Sequence, residues 1–277
     1  TLYNGLLDGG KASDFAKNVK GIYDRGQPLV QLGMVVGTGF STSFIPMMSQ
    51  AHAQNRQNEF TRSAMSLLRM TSVFSAAAVT GLLAILPNVN NMLFGDREGI
   101  AVLSVYILAI FAASIMTAYH SILQSLGQYK ISLVALAAGL TVKFFGNLLL
   151  VEPLGTMGAS IALIAGLAAM VLVLWMNSER ALRDVWFTDH FVRKLLAGCV
   201  VLFVTVWALR VGLERYLFTD GGRLTDSVIA VVTVCAGVGV FLWYILKVRL
   251  LTLREWVSIP FGKKLLRKLP DKTSDLK

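Results

Sequence analysis

Seven long apolar runs, separated by short polar stretches, constrain this chain more than any single motif does. They are Pro28 to Met48, Leu67 to Leu86, Ile100 to Leu123, Ile131 to Val151, Met157 to Met176, Leu195 to Val211 and Val228 to Leu246. Each is close to the about 20 residues that carry a helix across the hydrocarbon of a bilayer. Hydrocarbon offers no water to backbone N–H and C=O groups, so a segment lying there must satisfy them internally, as a helix does. The predicted fold class is therefore all-α, a polytopic transmembrane helical bundle. Composition agrees. Hydrophobic residues are 55% and charged residues 15% of the chain, whereas soluble domains are about 25% charged.

The runs divide the chain into residues 1–27, the remnant of a preceding helix and a loop; 28–176, five spans; 195–246, two more spans; and 247–277, a basic amphipathic tail. Thr1 to Leu7 reads as the end of an earlier helix, and the opening Thr-Leu-Tyr-Asn lacks the basic, apolar, small-residue order of a signal peptide. The sequence reads as a fragment.

Loop charge sets the expected orientation. With the C-terminus in the cytoplasm, inside segments hold 17 Lys and Arg and outside segments 8, with Lys143 within a span, out of 26 in all. The positive-inside rule favours that arrangement. The net charge of +10 is thereby explained by topology rather than by nucleic acid, which is not an expected partner. Leu250 to Leu269 mixes Trp256, Ile259 and Phe261 with Arg254, Lys263, Lys264, Arg267 and Lys268, a composition suited to an interfacial helix on anionic lipid. Cys199 and Cys235 lie inside apolar runs, where a free thiol behaves as a small hydrophobe.

Polar residues within the runs are the candidates for function. Gln27, Gln31, Thr38, Thr42 and Ser49 are spaced to share one face of the first helix. Such a stripe should face other helices or a wet cavity, although Ser and Thr can also bond their own backbone carbonyls. Gly33 and Gly37 allow close helix approach. Lys143 is the charge deepest within a span, and Asn147 follows one turn later. A central ammonium is costly in lipid and should point into the bundle, as a coupling site or a structural contact. Asp24 and Arg25 stand at the mouth of the first run. A guanidinium suits phosphate because it donates two parallel hydrogen bonds. An Asp-Arg pair there can equally be a solvated ion pair. His52, His120 and His190 are scattered, and no hydrolytic, zinc or nucleotide motif occurs. No enzyme activity, metal or cofactor is expected.

Gly21-Ile-Tyr-Asp-Arg-Gly-Gln-Pro-Leu-Val-Gln31 and Ile45-Pro-Met-Met-Ser-Gln50 resemble the eighth span and following turn of lipid II flippases of the MurJ and YtgP type. These belong to the multidrug/oligosaccharidyl-lipid/polysaccharide (MOP) exporter superfamily. Leu93-Phe-Gly95, Ile122-Leu-Gln-Ser-Leu-Gly-Gln128, and Lys143-x-x-x-Asn147 leading into Val151-Glu-Pro-Leu-Gly-Thr-Met-Gly-Ala-Ser160 fit the same group. Tyr23-Asp-Arg25 resembles more narrowly the sporulation-protein-like flippases of Gram-positive bacteria.

The resemblance implies one lobe of a two-lobed MOP transporter plus two extra C-terminal helices that line a groove for a lipid tail. It implies a bacterial cytoplasmic membrane protein that flips lipid-linked peptidoglycan precursor by alternating access. Its partners would be a polyprenyl-pyrophosphate-linked glycan, membrane lipids and the N-terminal lobe of the same protein. Arg25 falls where the family carries a cavity arginine, so the resemblance makes it the leading pyrophosphate contact, with Asp24 orienting it and Gln31 and Thr38 offering neutral hydrogen bonds. Lys143 and Asn147 remain coupling or structural residues. Rival readings are a flippase for another undecaprenyl-linked polysaccharide, a cation-coupled multidrug antiporter and a non-transporting scaffold. The antiporter needs acidic residues in the lobe interior, and none of the seven runs contains Asp or Glu.

Overall fold

The structure, a computed structural model, describes residues 20–186, 190–216, 222–248 and 250–251. The expected helix remnant at Thr1 to Leu7 and the basic tail beyond residue 251 lie outside the described residues. Those that are described form an all-α bundle without strands, and seven helical segments are long and apolar enough to cross a membrane. In chain order the helices are α1 (Gly26–Ala53), α2 (Gln57–Phe94), α3 (Ile100–Ile107), α4 (Ala109–Ser125), α5 (Tyr129–Leu154), α6 (Thr156–Met176), α7 (Arg180–Arg183), α8 (Phe191–Tyr216) and α9 (Arg223–Val248).

All seven expected spans are present, but most helices outrun the apolar stretches that announce them. Helical residues 20–24 lead into α1, so the first span runs Lys20–Ala53. With 38 residues at about 1.5 Å each, α2 is far longer than the ~30 Å hydrocarbon layer. Hydropathy marks only the part of a helix that meets lipid, whereas backbone hydrogen bonding carries the helix on into the interface. The third span is interrupted at Leu108, which separates α3 from α4.

Helix α2 is the hub. It packs against α1 and α4 on one side and against α8 and α9 on the other, while α6 lies on α3 and α4 and α5 lies on α6. Small residues set the closest approaches. A Cβ on Gly33 would stand 2.5 Å from Ile110 Cδ1, and one on Gly139 would stand 2.7 Å from the Gly166 carbonyl oxygen. The α1–α4 and α5–α6 contacts thus require hydrogen at those positions, as expected where helices associate by packing in lipid. Between them, Phe60, Leu67, Leu68, Met70, Leu103, Ile107 and Tyr119 fill the core.

The two C-terminal spans are fastened to α2 by a polar clasp. Asp226, in the first turn of α9, is 1% exposed. Asn88 and Asn91 of α2 donate their side-chain N–H groups to its two oxygens, and Arg97 Nη2 donates to both at 3.0 and 2.9 Å. Asn88 also donates to Glu214 of α8 at 2.9 Å. Nearby, Arg210 donates to the Ala84 carbonyl at 3.0 Å, and Arg223 Nε donates to the Met92 carbonyl at 3.0 Å near the end of α2. This corrects the expectation that the spans hold no acid. Helices α8 and α9 extend past their apolar runs, and the extensions carry Glu214 and a buried Asp226.

Removing the cation from a buried pair leaves an uncompensated charge, which costs roughly 3–5 kcal/mol when both partners are buried. Arg97 is 47% exposed, so Arg97→Ala is expected to destabilise the protein by about 2 kcal/mol. Arg56→Ala, which breaks the exposed Arg56–Glu59 pair, should change stability by less than about 0.5 kcal/mol. Thermal or denaturant unfolding of the purified protein in one detergent checks the contrast.

Candidate functional site

The face of α1 that carries the polar stripe is not the face that packs. Leu29, Gly37, Phe40, Phe44, Met48 and Ala51 are buried, while Gln27, Gln31, Thr38 and Thr42 are exposed. The seven-and-four spacing that groups the polar residues also places them nearly opposite the buried row. Asp24 and Lys20 continue the exposed side towards the start of the helix.

The stripe is not chemically uniform. Thr38 donates its hydroxyl proton to the backbone carbonyls of Met34 and Val35, at 3.2 and 2.9 Å, and Thr42 donates to Gly39 at 3.0 Å. Threonines bonded in this way offer lone pairs outward rather than a proton. Gln27 and Gln31 keep amide groups that can donate. For an anionic ligand, Gln31 is therefore the better neutral donor and Thr38 the weaker one.

Arg25 sits at the same end of α1 but is turned away from this face towards the loop after α2, and is largely buried. Its Nη1 donates to Asp96 Oδ1 at 2.6 Å, and its guanidinium carbon lies 5.0 Å from the centroid of the Phe94 ring. Tyr23, two residues earlier, meets Tyr106 edge to face at 5.0 Å and so pins the start of the span to α3. The expectation that Asp24 orients Arg25 is not what the geometry shows. Asp24 is exposed, and the carboxylate that holds the guanidinium comes from the loop after α2. A local pair is the natural guess from sequence, because a partner 71 positions away leaves no trace in spacing. The available clue was Gly95-Asp-Arg-Glu-Gly99, a charged loop at the same membrane face as Arg25.

The Arg25 hydrogen bond holds the Asp96 carboxyl below its ordinary range, helped by the Glu98 backbone N–H at 2.9 Å. Arg25 thus has its charge matched by a carboxylate on the loop after α2.

Lys143 and Asn147 do not join this group. They lie on α5, where Lys143 Cβ packs over Gly166 of α6 at a distance that leaves no room for a larger residue. Asn147 Oδ1 is buried without a hydrogen-bond donor. Among the described residues no carboxylate pairs with Lys143. The two sets that sequence distinguished thus lie apart: Arg25 with the polar face of α1, and half-buried Lys143 and Asn147 on the α5–α6 hairpin.

Fold and site together define a multi-pass α-helical membrane protein with one polar helix face presented outward from the bundle. Consistent with that class, the chain is 35% identical over 261 residues to the uncharacterized membrane protein YabM of Bacillus subtilis (strain 168), covering 94% of this chain and 48% of the relative. The chain therefore spans about half the length of the curated relative it matches. No protein-family model matches the chain, and no solved structure does.

Because the folded carboxyl of Asp96 is lowered, the Arg25–Asp96 pair stabilises the protein fully above the ordinary carboxylate range, near 4, and loses that contribution as pH falls through the lower folded value. Arg25→Gln is expected to raise the Asp96 titration towards the ordinary carboxylate range. Infrared titration of the carboxylate band, referenced to Asp96→Asn, reads the shift.

Proposed function

We propose that this chain is one lobe of a MOP-type flippase that moves a lipid-linked anionic saccharide, in first place the peptidoglycan precursor lipid II, across a bacterial cytoplasmic membrane with the C-terminus inside. The observation that carries the reading is Arg25 at the end of α1 where an exposed polar helix face begins, with its charge matched by Asp96. A membrane helix leaves Gln27, Gln31, Thr38 and Thr42 uncovered at a cost, unless they line a wet cavity or meet other helices. A second lobe facing α1 would supply both, and the relative's greater length leaves room for one.

In this reading alternating access rocks the two lobes along the polar face of α1, with Arg25 receiving the headgroup at one membrane face. Pyrophosphate displaces Asp96 from Arg25 and accepts its hydrogen bonds, while Gln31 donates to neutral oxygens along the face. Thr38 contributes as an acceptor for sugar hydroxyls. Exchange of one oxyanion for another keeps the guanidinium compensated when the site is empty. It also keeps binding weak enough for release.

Asp226 gives the cation-coupled antiporter its one concrete support, a buried acid in the lobe. Yet Asp226 already accepts from Asn88, Asn91 and Arg97, and an acid so fully compensated has little reason to take up a proton or Na⁺. The flippase reading stands first. A flippase for another undecaprenyl-linked polysaccharide would use the same pyrophosphate contact and differ only in the sugar.

Depletion of the resident lipid II flippase, complemented by the full-length protein, is the test. The intact protein should restore growth and precursor translocation, and Arg25→Ala should lower translocation at least about tenfold, a loss of about 1.4 kcal/mol. Arg25→Lys should retain part of it. Wild-type transport by Arg25→Ala would remove Arg25 from the site, and failure of the inserted intact protein to rescue would overturn the lipid II assignment.

A further inference from the structure

The membrane end opposite Arg25 carries a second feature. Helices α6 and α8 stand apart there, leaving a cleft of about 860 Å³ floored by α2 and by the Leu108 break between α3 and α4. Ala76, Val79, Phe111, Ile115, Leu172 and Leu196 are among its almost wholly apolar walls. Several of these side chains are exposed, Leu172 and Leu196 more than half, so the cleft opens sideways to lipid. Along α2 the lining runs from Ser72 to Thr80, about 12 Å of helix, close to the thickness of one leaflet's hydrocarbon.

Trp175 and Trp186 mark the end of the cleft. Trp186 Nε1 donates to Ser72 Oγ at 3.0 Å, and Trp175 Nε1 donates to the Arg183 carbonyl at 3.5 Å. Indoles with an apolar body and a satisfied N–H collect at headgroup depth. The same end is strongly basic. Arg69 stacks on Phe191, which lines the cleft, with its guanidinium carbon 5.7 Å from the ring centroid. Arg69 Nε is buried without an acceptor, and among the described residues no carboxylate pairs with this guanidinium. Arg180, Arg183 and Arg193 lie on the segment that closes this end, with Asp184 as its acid. Glu179, just before it, is engaged by Gln57 at 2.9 Å.

We propose that this cleft is a binding site for an anionic glycerophospholipid, with an acyl chain lying between α6 and α8 and the phosphate meeting Arg69 and the neighbouring arginines. A guanidinium that among the described residues has no carboxylate partner, beside a short apolar cleft, is complementary to a lipid that is anionic at one end and apolar at the other. Basic pockets between transmembrane helices are suited to such headgroups. A polyprenyl chain fits less well, since the cleft follows α2 for only about 12 Å. Arg25 lies at the other membrane face, so a headgroup held there would leave this cleft free. The proposal is independent of the flippase reading.

Native mass spectrometry of the full-length protein in detergent, titrated with dioleoyl phosphatidylglycerol or dioleoyl phosphatidylcholine, tests it. Phosphatidylglycerol should bind at about tenfold lower concentration, the equivalent of about 1.4 kcal/mol. Arg69→Ala should abolish that preference, Arg69→Lys should keep most of it, and Ala112→Phe, which fills the cleft, should weaken both lipids. Leu196→Trp, on the open rim, serves the same purpose if Ala112→Phe does not insert. Equal binding of the two lipids by the wild type, or an unchanged preference in Arg69→Ala, overturns the proposal. So does displacement of phosphatidylglycerol by equimolar undecaprenyl phosphate, which would make the cleft a polyprenyl site.

Discussion

Asp96 and Arg97 are adjacent, oppositely charged, and paired in opposite directions. Asp96 reaches back to Arg25 at the head of α1, and Arg97 reaches forward to the buried Asp226 of α9. Their loop is bounded by Gly95 and Gly99, both at positive φ, where a side chain would be strained. The turn can therefore present two charges to two helices within five residues. A carboxylate as enclosed as Asp226 needs its cation, because leaving it unpaired costs more than the pair itself contributes. The need for compensation fixes the loop, and the loop then fixes where Asp96 stands. The placement of the C-terminal helix pair and the pairing of Arg25 are consequences of one turn.

This coupling gives α2 its position in the bundle. Its last turns supply Asn88 and Asn91 to Asp226 of α9 and Asn88 also to Glu214 of α8, and receive Arg223 at the Met92 carbonyl, so one helix end is held by side chains from two other helices. Elsewhere the bundle relies on small residues and shape, as at Gly33 against Ile110 and Gly139 against Gly166. In hydrocarbon, lipid competes equally for apolar surface, so close packing and polar contacts carry the specificity of association. A shift of α9 relative to α2 would have to drag Arg97 or strip Asp226, and either movement pulls on the segment that holds Arg25.

The fold was legible because its determinants are local. Each apolar run contains its own reason to be a helix, and the period of α1 separated Gln27, Gln31, Thr38 and Thr42 from the side that packs. What sequence could not give depends on partners far apart in the chain. The Arg25–Asp96 bond joins positions 71 apart, and Asp226 lies 135 positions from Asn91. Reading Asp24 as the partner followed from adjacency, which places two side chains on different sides of a helix. Reading the spans as free of acids followed from ending each helix where its hydropathy ended. The polar turns beyond those ends are where Glu214 and Asp226 make their contacts. The tail composition, by contrast, is a matter of sequence alone.

The two membrane faces solve the problem of a guanidinium near lipid in different ways. At one face Arg25 is neutralised by Asp96, so its environment is complete without any ligand, and an oxyanion can enter only by exchange. Charge-assisted bonds to carboxylate and to phosphate are similar in kind, so the net gain is a difference between two large terms and is small. At the other face Arg69 has a ring beneath it and, among the described residues, no carboxylate paired with it, so an anion arriving there adds a bond without breaking one. The first arrangement favours turnover and the second favours residence. A transported headgroup has to be released, whereas a lipid that completes the gap between α6 and α8 does not, and the pairing state of each arginine matches the occupant proposed for it.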